Sequence, residues 1–400
     1  MRYKLALAAL IFLYILSLGW LSLARHWSFQ TAMADLGLNH QPVWGTLHGH
    51  PFHRTNGSSL ADHFEPIILL LAPFLLLWEK AETLLILQVI ALALGAIPVF
   101  WLAREKLKSE KLALLFAAAY LLMPALEAPN AADFHPAPLA VPLFLFAWYY
   151  AHRKDAFKKG LFALLAMSVR EDMAYLAFIL GLYAFFRSSR RLGIILLGVS
   201  LVYALVAFTL IIPHYAETVW GEGQKYIYIT RYTYLMEDKG GLITGILDHP
   251  DQVVKLLLSP DRIGYGLGLL AGVGFLPLLA PEVLVWGVPF YLANALSNYP
   301  ATYSGELHYS AILVPFLMLA AIYGTARILR WSYKPNEVPR WMPSAIAIWL
   351  LLWSLGYHHL KGFTPLTWGF SFPRVTPHHR SLARFEALIP PRVPLSTTVA

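Results

Sequence analysis

Long uncharged runs of apolar residues are the feature of this sequence that most restricts its fold. The run GIILLGVSLVYALVAFTLII, residues 193–212, contains no charged residue, and a helix of about 20 residues is long enough to cross a bilayer. A second run, LLILQVIALALGAIPVFWLA at residues 84–103, has the same character. Because a helix bonds its own backbone polar groups, the sequence predicts an all-α polytopic membrane protein.

Five short segments dense in Lys and Arg set the predicted topology. They are Met1–Lys4, Arg104–Lys111, His152–Lys159, Arg187–Arg191 and Arg327–Arg340. The positive-inside rule places all five in the cytoplasm, so the apolar runs between them cross the membrane in pairs. The formal net charge of +8 therefore reflects topology, and we expect the lipid bilayer, not nucleic acid, as the partner of these residues.

This topology predicts about 11 transmembrane helices with the N-terminus in the cytoplasm. The predicted helices are residues 4–24, 83–103, 111–126, 137–151, two short helices within 160–186, 192–212, 263–279, 282–297, 310–330 and 342–358. Together they form one transmembrane domain, residues 1–358, with a helical first outer loop (25–82) and a second large outer loop (213–262). Residues 359–400 form an extracytoplasmic tail that ends abruptly, as a truncated outer domain would.

The first outer loop carries most of the candidate chemistry. Under the predicted topology 14 of the 15 histidines lie outside, His152 being the exception. Asp35, early in this loop, is placed to act as a general base on a hydroxyl acceptor. The alternative is a helix N-cap, since Asp before an apolar stretch caps a helix well.

Asp62, His63 and Glu65 follow in the same loop, in the sequence DHFEP. Asp62 and Glu65 would share a face if this segment were helical. Imidazole and carboxylate groups could then hold a divalent metal such as Mg²⁺ or Mn²⁺. The competing interpretation is a solvated polar loop without a metal, because the neighbouring HGHPFH has no regular ligand spacing.

Two further polar clusters are predicted near the outer surface. Asp133 and His135 lie in a short turn between apolar runs, in the sequence DFHP. Arg170, Glu171 and Asp172 interrupt an apolar run at membrane depth, where ionisable groups are costly and usually functional. Arg170 could bind a phosphate bidentately, or it could pair internally with one of its acidic neighbours and only fix helix packing.

Aromatic residues accompany these clusters in the second outer loop and near the end of the domain. The tyrosines at 226, 228, 232 and 234 alternate with Lys225 and Arg231, and His308-Tyr309 precedes a late span. An interfacial aromatic belt is one interpretation of such residues. A wall on which a sugar stacks is the other.

Several of these motifs together resemble one known family. The segments are DLGLNHQPVWGTLHG, ADHFEPIILLLAP, ADFHPAPLAVPLF, the RED after a short helix and the late HY before a span. They resemble the prokaryotic membrane-protein family called domain of unknown function 2079, over residues 29–331. The layout of that family looks like the GT-C glycosyltransferase fold, with an acidic residue in the first outer loop.

The resemblance implies an enzyme of the prokaryotic cytoplasmic membrane whose active face is extracytoplasmic. Such enzymes transfer a sugar from a polyprenyl-phosphate carrier to an acceptor. By this likeness Asp35 is the candidate base, Arg170 binds the carrier phosphate, and Asp133, His135, Glu171, Asp172, His308 and Tyr309 bind substrate. The chain departs from the family pattern at His40, where a second acidic residue is usual, and at Arg170, where Lys is usual.

Two other functions fit the sequence. A transporter or flippase would line a path through the bilayer with its ionisable residues, but here these residues gather on one face. A non-catalytic assembly or sensing protein would use the outer loops to bind a partner.

Overall fold

The helical architecture expected from the apolar runs is confirmed. The computed structural model describes residues 1–223, 226–236, 241–331, 339–386 and 388–390, so Lys225, residues 332–338 of a predicted basic segment and the last ten residues lie outside the described part. The only strands in the described part form a two-residue antiparallel hairpin, β1 (His53–Arg54) and β2 (Gly57–Ser58), within the first outer loop.

The first half of the chain folds into ten helices. They are α1 (Arg2–Trp27), α2 (Leu38–Leu47), α3 (Ile68–Leu71), α4 (Glu82–Leu94), α5 (Ala96–Leu107), α6 (Glu110–Leu121), α7 (Pro124–Ala131), α8 (Ala140–His152), α9 (Ala156–Met167) and α10 (Ala174–Arg187). The first outer loop is partly helical, as predicted, with α2, α3 and a π-helical turn, Met33–Gly37, that carries Asp35.

Ten further helices follow. They are α11 (Arg190–Val206), α12 (Ile212–Trp220), α13 (Leu242–Asp248), α14 (Pro250–Leu257), α15 (Pro260–Ala271), α16 (Pro281–Leu284), α17 (Val288–Ala295), α18 (Val314–Trp331), α19 (Met342–Lys361) and α20 (Pro377–Glu386). A 3₁₀ segment, His308–Leu313, leads directly into α18. Because α12, α13 and α14 lie between residues 212 and 257, the second outer loop is largely helical.

Five helical stretches in the described residues are long and apolar enough to cross a membrane. They are Arg2–Trp27, Glu82–Leu107, Glu110–Ala131, Arg190–Trp220 and His308–Arg330. The prediction of about 11 spans is not confirmed. Helices α9 and α10 have only 12 and 14 residues, fewer than the roughly 20 that a full crossing needs. The predicted helix 282–297 is divided into α16, a 3₁₀ turn and α17.

The two short helices predicted within residues 160–186 are present as α9 and α10. They meet at a 3₁₀ turn, Glu171–Met173, preceded by Arg170 in extended conformation. The charged side chains explain the break, because a continuous helix would carry them into the apolar packing on both sides. The first outer loop contacts the chain next to this turn, since the backbone N–H of Ile67 donates to the carbonyl of Ser168 at 2.8 Å.

Most predicted cytoplasmic segments meet at one end of the helical body. The Glu105 carboxylate at the end of α5 lies 3.4 Å from a guanidinium nitrogen of Arg153. The buried Lys159 amine donates to the Ser188 hydroxyl at 2.8 Å. Segments 104–111, 152–159 and 187–191 therefore lie together, as a shared side of the membrane requires. Which side that is stays a prediction.

Candidate functional site

A cavity of about 680 Å³ collects polar side chains from five separate parts of the chain. The predicted site residues that line it are Asp35, Asp62, His63, Glu65, His135, Arg170, Asp172, His308 and Tyr309. The other two predicted site residues, Asp133 and Glu171, are buried next to it and bond to segments of its wall. The cavity therefore unites residues that are up to 274 positions apart in sequence, between Asp35 and Tyr309.

Asp35 and His135 form the most exposed polar pair of the cavity. The Asp35 carboxylate oxygen Oδ1 lies 3.2 Å from Nε2 of His135, and the Asp35 side chain is 51% exposed. The hydrogen bond from His135 lowers the pKa of Asp35 against a smaller opposing effect of burial. Asp35 is therefore ionised near neutral pH and accepts hydrogen bonds there, although a lowered pKa also makes it a weaker base.

Packing and backbone contacts fix the orientation of His135. Its backbone N–H donates to the side-chain oxygen of Gln88 at 3.0 Å, and its Nδ1 faces the carbonyl of Asp133 at 3.3 Å. Its ring stacks on His308 with centroids 3.6 Å apart. Both ring nitrogens of His135 thus lie near oxygen acceptors, Nε2 near Asp35 and Nδ1 near the carbonyl of Asp133. His135 is therefore held in contact with Asp35.

Asp133 is hydrogen-bonded to the backbone near the start of the first outer loop. Its Oδ2 accepts a hydrogen bond from the backbone N–H of Ala32 at 2.8 Å, three residues before Asp35. Burial raises the pKa of Asp133, while the bond from Ala32 opposes that effect. Asp133 therefore bonds to the backbone close to Asp35 and is not among the residues that line the cavity. Its role in substrate binding stays a prediction.

Three arginines line the cavity, and two of them already have a carboxylate partner. Arg54 pairs with Asp62. Arg170 donates two hydrogen bonds of 2.7 Å to Asp172, so the internal-pairing alternative for Arg170 is the one observed. A guanidinium engaged bidentately with a carboxylate has fewer donors left for a phosphate.

Arg231 is the third arginine, and no carboxylate of the described residues pairs with it. Its guanidinium lies over the rings of Tyr228, Tyr299 and Tyr309, with distances to the ring centroids of 4.7, 5.0 and 5.3 Å. It donates one hydrogen bond of 3.3 Å to the Tyr309 hydroxyl. The aromatic rings fix its position by cation–π contact, and they do not neutralise its charge as a carboxylate would.

Glu171 joins three segments behind the cavity. Its buried carboxylate accepts hydrogen bonds from His63 Nδ1 at 2.8 Å, from the backbone N–H of Phe64 at 2.9 Å and from the Tyr226 hydroxyl at 3.1 Å. Burial is the largest single effect and disfavours the charged form of each side chain. The attraction and the hydrogen bond between the two side chains act against burial, and the net result is a raised pKa for His63 and a lowered pKa for Glu171. His63 and Glu171 form a buried ion pair.

The predicted metal ligands do not come together as a set. Asp62 pairs with Arg54, His63 pairs with Glu171, and Glu65 keeps one buried oxygen without a partner. The helical face expected for Asp62 and Glu65 is absent because the 3₁₀ turn of this segment ends at Ala61. No group of three or more His, Asp or Glu in the described part has the arrangement of a metal site. A divalent metal stays a prediction.

The tyrosines of the second outer loop contribute to the cavity wall. Tyr226, Tyr228 and Tyr232 line it, and the Tyr228 ring stacks on His63 with centroids 4.6 Å apart. Tyr234 instead donates to the carbonyl of Leu296. Three of the four tyrosines thus occupy the place expected of a ligand-stacking wall.

An apolar groove of about 540 Å³ adjoins the polar cavity. It lies between α10, α11 and α17, and Tyr175, Phe178, Leu201 and Ala204 are among its lining residues. Asp172, Phe208, Phe290 and Ala293 line both the groove and the cavity. The two spaces therefore share a wall, with a polar compartment on one side and an apolar one on the other.

Comparison with known families matches residues 25–363 to the family described as predicted membrane protein (DUF2079). This match covers most of the chain and includes every residue of the cavity. The chain belongs to the DUF2079 family. No curated protein matches it. The family resemblance of the motifs is therefore confirmed, whereas the GT-C layout rests on likeness alone.

Two features of this DUF2079 site went unnoticed in the sequence. Arg54 is buried in the cavity wall, although its position in the loop HGHPFHR suggested only a solvated segment. Gln88 is fully buried within α4 and positions His135. A single amide inside an otherwise apolar run was a signal that could have identified Gln88, since a buried amide needs hydrogen-bond partners.

The ion pair between His63 and Glu171 predicts a specific pH dependence of stability. A raised His pKa contributes stability fully below its ordinary value of about 6.5, and a lowered Glu pKa does so above about 4.3. Between about pH 4.3 and about pH 6.5 both residues contribute to stability. The stability from His63 is lost as pH rises through its raised pKa, and that from Glu171 is lost as pH falls through its lowered pKa.

We therefore expect the difference in melting temperature between the wild-type DUF2079 protein and His63→Gln to be largest between about pH 5 and 6. The difference should shrink as the pH rises to about 8.5. Thermal unfolding in detergent measures it. His53→Gln, at an exposed histidine of the same loop, is the control. A difference that grows with pH would contradict the ion pair.

Proposed function

We propose that this protein is a membrane glycosyltransferase of the GT-C type. It transfers a sugar from a polyprenyl-phosphate carrier to an acceptor hydroxyl on the extracytoplasmic side of the prokaryotic cytoplasmic membrane. The observation that carries this proposal is the wall that the polar cavity shares with the apolar groove. A substrate that fills both spaces has a polar head and a long apolar tail.

The shape of the two spaces suits a lipid-linked sugar. The cavity of about 680 Å³ lies within the size range of small-molecule sites and accommodates a sugar phosphate. The groove is lined by residues such as Phe178 and Leu201, which are themselves exposed on the apolar surface. The first isoprene units of the carrier would occupy the groove, and the rest of the tail would remain in the bilayer.

Asp35 is the candidate base of the proposed reaction. The acceptor oxygen forms a bond to the anomeric carbon, while the bond between that carbon and the carrier phosphate oxygen breaks. The proton of the acceptor hydroxyl passes to the Asp35 carboxylate, and the electron pair of the broken bond leaves with the polyprenyl phosphate. Because its pKa is lowered, Asp35 takes this proton late, when the acceptor oxygen has already become acidic.

Arg231 is the better candidate for the carrier phosphate. Arg170 was proposed for this role from the family resemblance, but two of its five donors bond to Asp172 and its charge is paired there. Arg231 faces the same cavity without a carboxylate partner among the described residues, and aromatic rings fix its position. A preorganised cation aimed at the leaving phosphate stabilises the charge that develops there during the reaction.

Replacing the candidate base tests the chemical step. We expect Asp35→Asn to lower kcat for sugar transfer by roughly 10²- to 10⁴-fold, the usual contribution of general base catalysis, with little change in KM for the carrier. Transfer is measured in proteoliposomes with a polyprenyl-phosphate sugar. Glu222→Gln, at an exposed carboxylate of the second outer loop, is the matched control. Equal rates in Asp35→Asn and the wild type would remove Asp35 from the mechanism.

The Arg231 assignment predicts a different kinetic effect. Removing a charged hydrogen-bond donor costs about 1.5–3 kcal/mol, so Arg231→Gln should lower kcat/KM by roughly tenfold to a hundredfold. Arg231→Lys should recover part of this loss because it restores the charge. The exposed Arg380 provides the control variant Arg380→Gln. An unimpaired Arg231→Gln would return the phosphate role to Arg170.

The groove predicts a dependence on tail length. Ala204 lines the groove, and Ala204→Phe would exclude about two methylene groups of a bound tail, which corresponds to roughly a tenfold loss of affinity. We expect this loss for a long polyprenyl carrier, with little change for a short water-soluble analogue. Leu205→Phe, at the adjacent exposed position, is the control. Equal losses for both carriers would contradict a tail-binding groove.

A further inference from the structure

A second cavity of about 570 Å³ lies where helices α5, α8 and α18 end. Its polar lining consists of Glu105, Lys106, Lys108, His152, Arg153 and Arg330. The rest of the lining is apolar and includes Leu107 and Leu329. No residue of this cavity belongs to the candidate active site.

The two cavities lie at opposite ends of the same helices. The candidate active site is lined by His135 just before α8 and by His308 at the start of the stretch that leads into α18. The second cavity is lined by His152 at the end of α8 and by Arg330. The helical stretch His308–Arg330 has 23 residues and rises about 33 Å, close to the thickness of the hydrocarbon core.

The second cavity carries an excess of positive charge. Among the described residues four Lys or Arg side chains line it, together with His152, and Glu105 is the one carboxylate. Glu105 is already engaged, because it accepts a hydrogen bond from Tyr149 at 2.9 Å and lies 3.4 Å from Arg153. No carboxylate of the described residues pairs with Lys106, Lys108 or Arg330. Clustered cations in a concave site attract an anion.

Both lysines of this lining are held in position, Lys106 by an aromatic ring and Lys108 by its backbone conformation. The Lys106 amine is half-buried over the Tyr323 ring, 4.7 Å from its centroid. Lys108 has a φ of +53° at the end of α5, a left-handed conformation in which glycine is the residue preferred after a helix. A lysine there is under backbone strain, and such strain concentrates at functional sites.

We propose that this second cavity binds the phosphate of an anionic phospholipid from the leaflet opposite the candidate active site. A phosphate has the charge and the acceptor oxygens that the described carboxylates do not supply to Lys106, Lys108 and Arg330. A lipid is favoured over a soluble phosphate because Leu107, Ala326 and Leu329 give the cavity an apolar side at the membrane boundary. Basic pockets between helix ends are typical sites for anionic head groups.

Native mass spectrometry of the delipidated full-length protein in detergent tests the proposal. Phosphatidylglycerol should bind with higher occupancy than phosphatidylcholine of the same chains. The double variant Lys106→Gln/Arg330→Gln should lose about 30-fold in affinity for phosphatidylglycerol, since each basic residue near an anionic head group contributes about fivefold. The control, Arg187→Gln/Arg191→Gln, removes two exposed charges of the same end that do not line the cavity.

Each outcome decides the proposal. Loss of binding in the cavity variant alone supports it. Equal losses in both double variants would show adsorption to the basic surface as a whole and would overturn it. Displacement of phosphatidylglycerol by an equal concentration of inorganic phosphate would assign the cavity to a soluble anion instead of a lipid. Arg330 is exposed, so the single variant Arg330→Gln keeps the test valid if the double variant does not fold.

Discussion

The candidate site depends on one buried carboxylate. Glu171 accepts hydrogen bonds from the His63 side chain, the Phe64 backbone and the Tyr226 hydroxyl, so it ties the first and second outer loops to the turn between α9 and α10. An ionised carboxylate without partners is strongly unfavourable in such a place, and with three donors it becomes a fixed junction. Because the loops meet at Glu171, the walls of the cavity cannot vary independently, and Arg231, His63 and Asp35 all line the same space.

Charge is arranged in the cavity so that only a few groups remain available to a ligand. Arg54 is matched by Asp62 and Arg170 by Asp172, and each pair lowers the cost of holding two ions next to apolar helices. Asp35 is hydrogen-bonded on one side by His135 and is half-exposed on the other. Arg231 is supported by aromatic rings, which do not neutralise its charge. The paired residues thus build the wall, while Asp35 keeps one side exposed and Arg231 has no carboxylate partner among the described residues.

Sequence patterns predicted the helical membrane fold, the break at Arg170 and nine of the residues that line the cavity, because apolar runs and rare charges are local signals. They did not predict which residues pair. Asp35 and His135 are 100 positions apart, and nothing local distinguishes an arginine held by a carboxylate from one held by tyrosines. The number of spans was also beyond local reasoning, since an apolar segment such as α16 or α17 buries its surface against other helices as readily as in lipid.

Asp172 lies in the wall that the cavity shares with the groove. In the proposed reaction its negative charge alone would repel the carrier phosphate. The bidentate bond from Arg170 offsets that charge, while Arg231, which also lines the cavity, attracts the phosphate. A lysine at position 170 would supply the same charge, but the planar guanidinium matches both oxygens of Asp172 and holds it more rigidly. In the proposed reaction Arg170 therefore contributes by offsetting the negative charge of Asp172, and Arg231 provides the attraction for the phosphate.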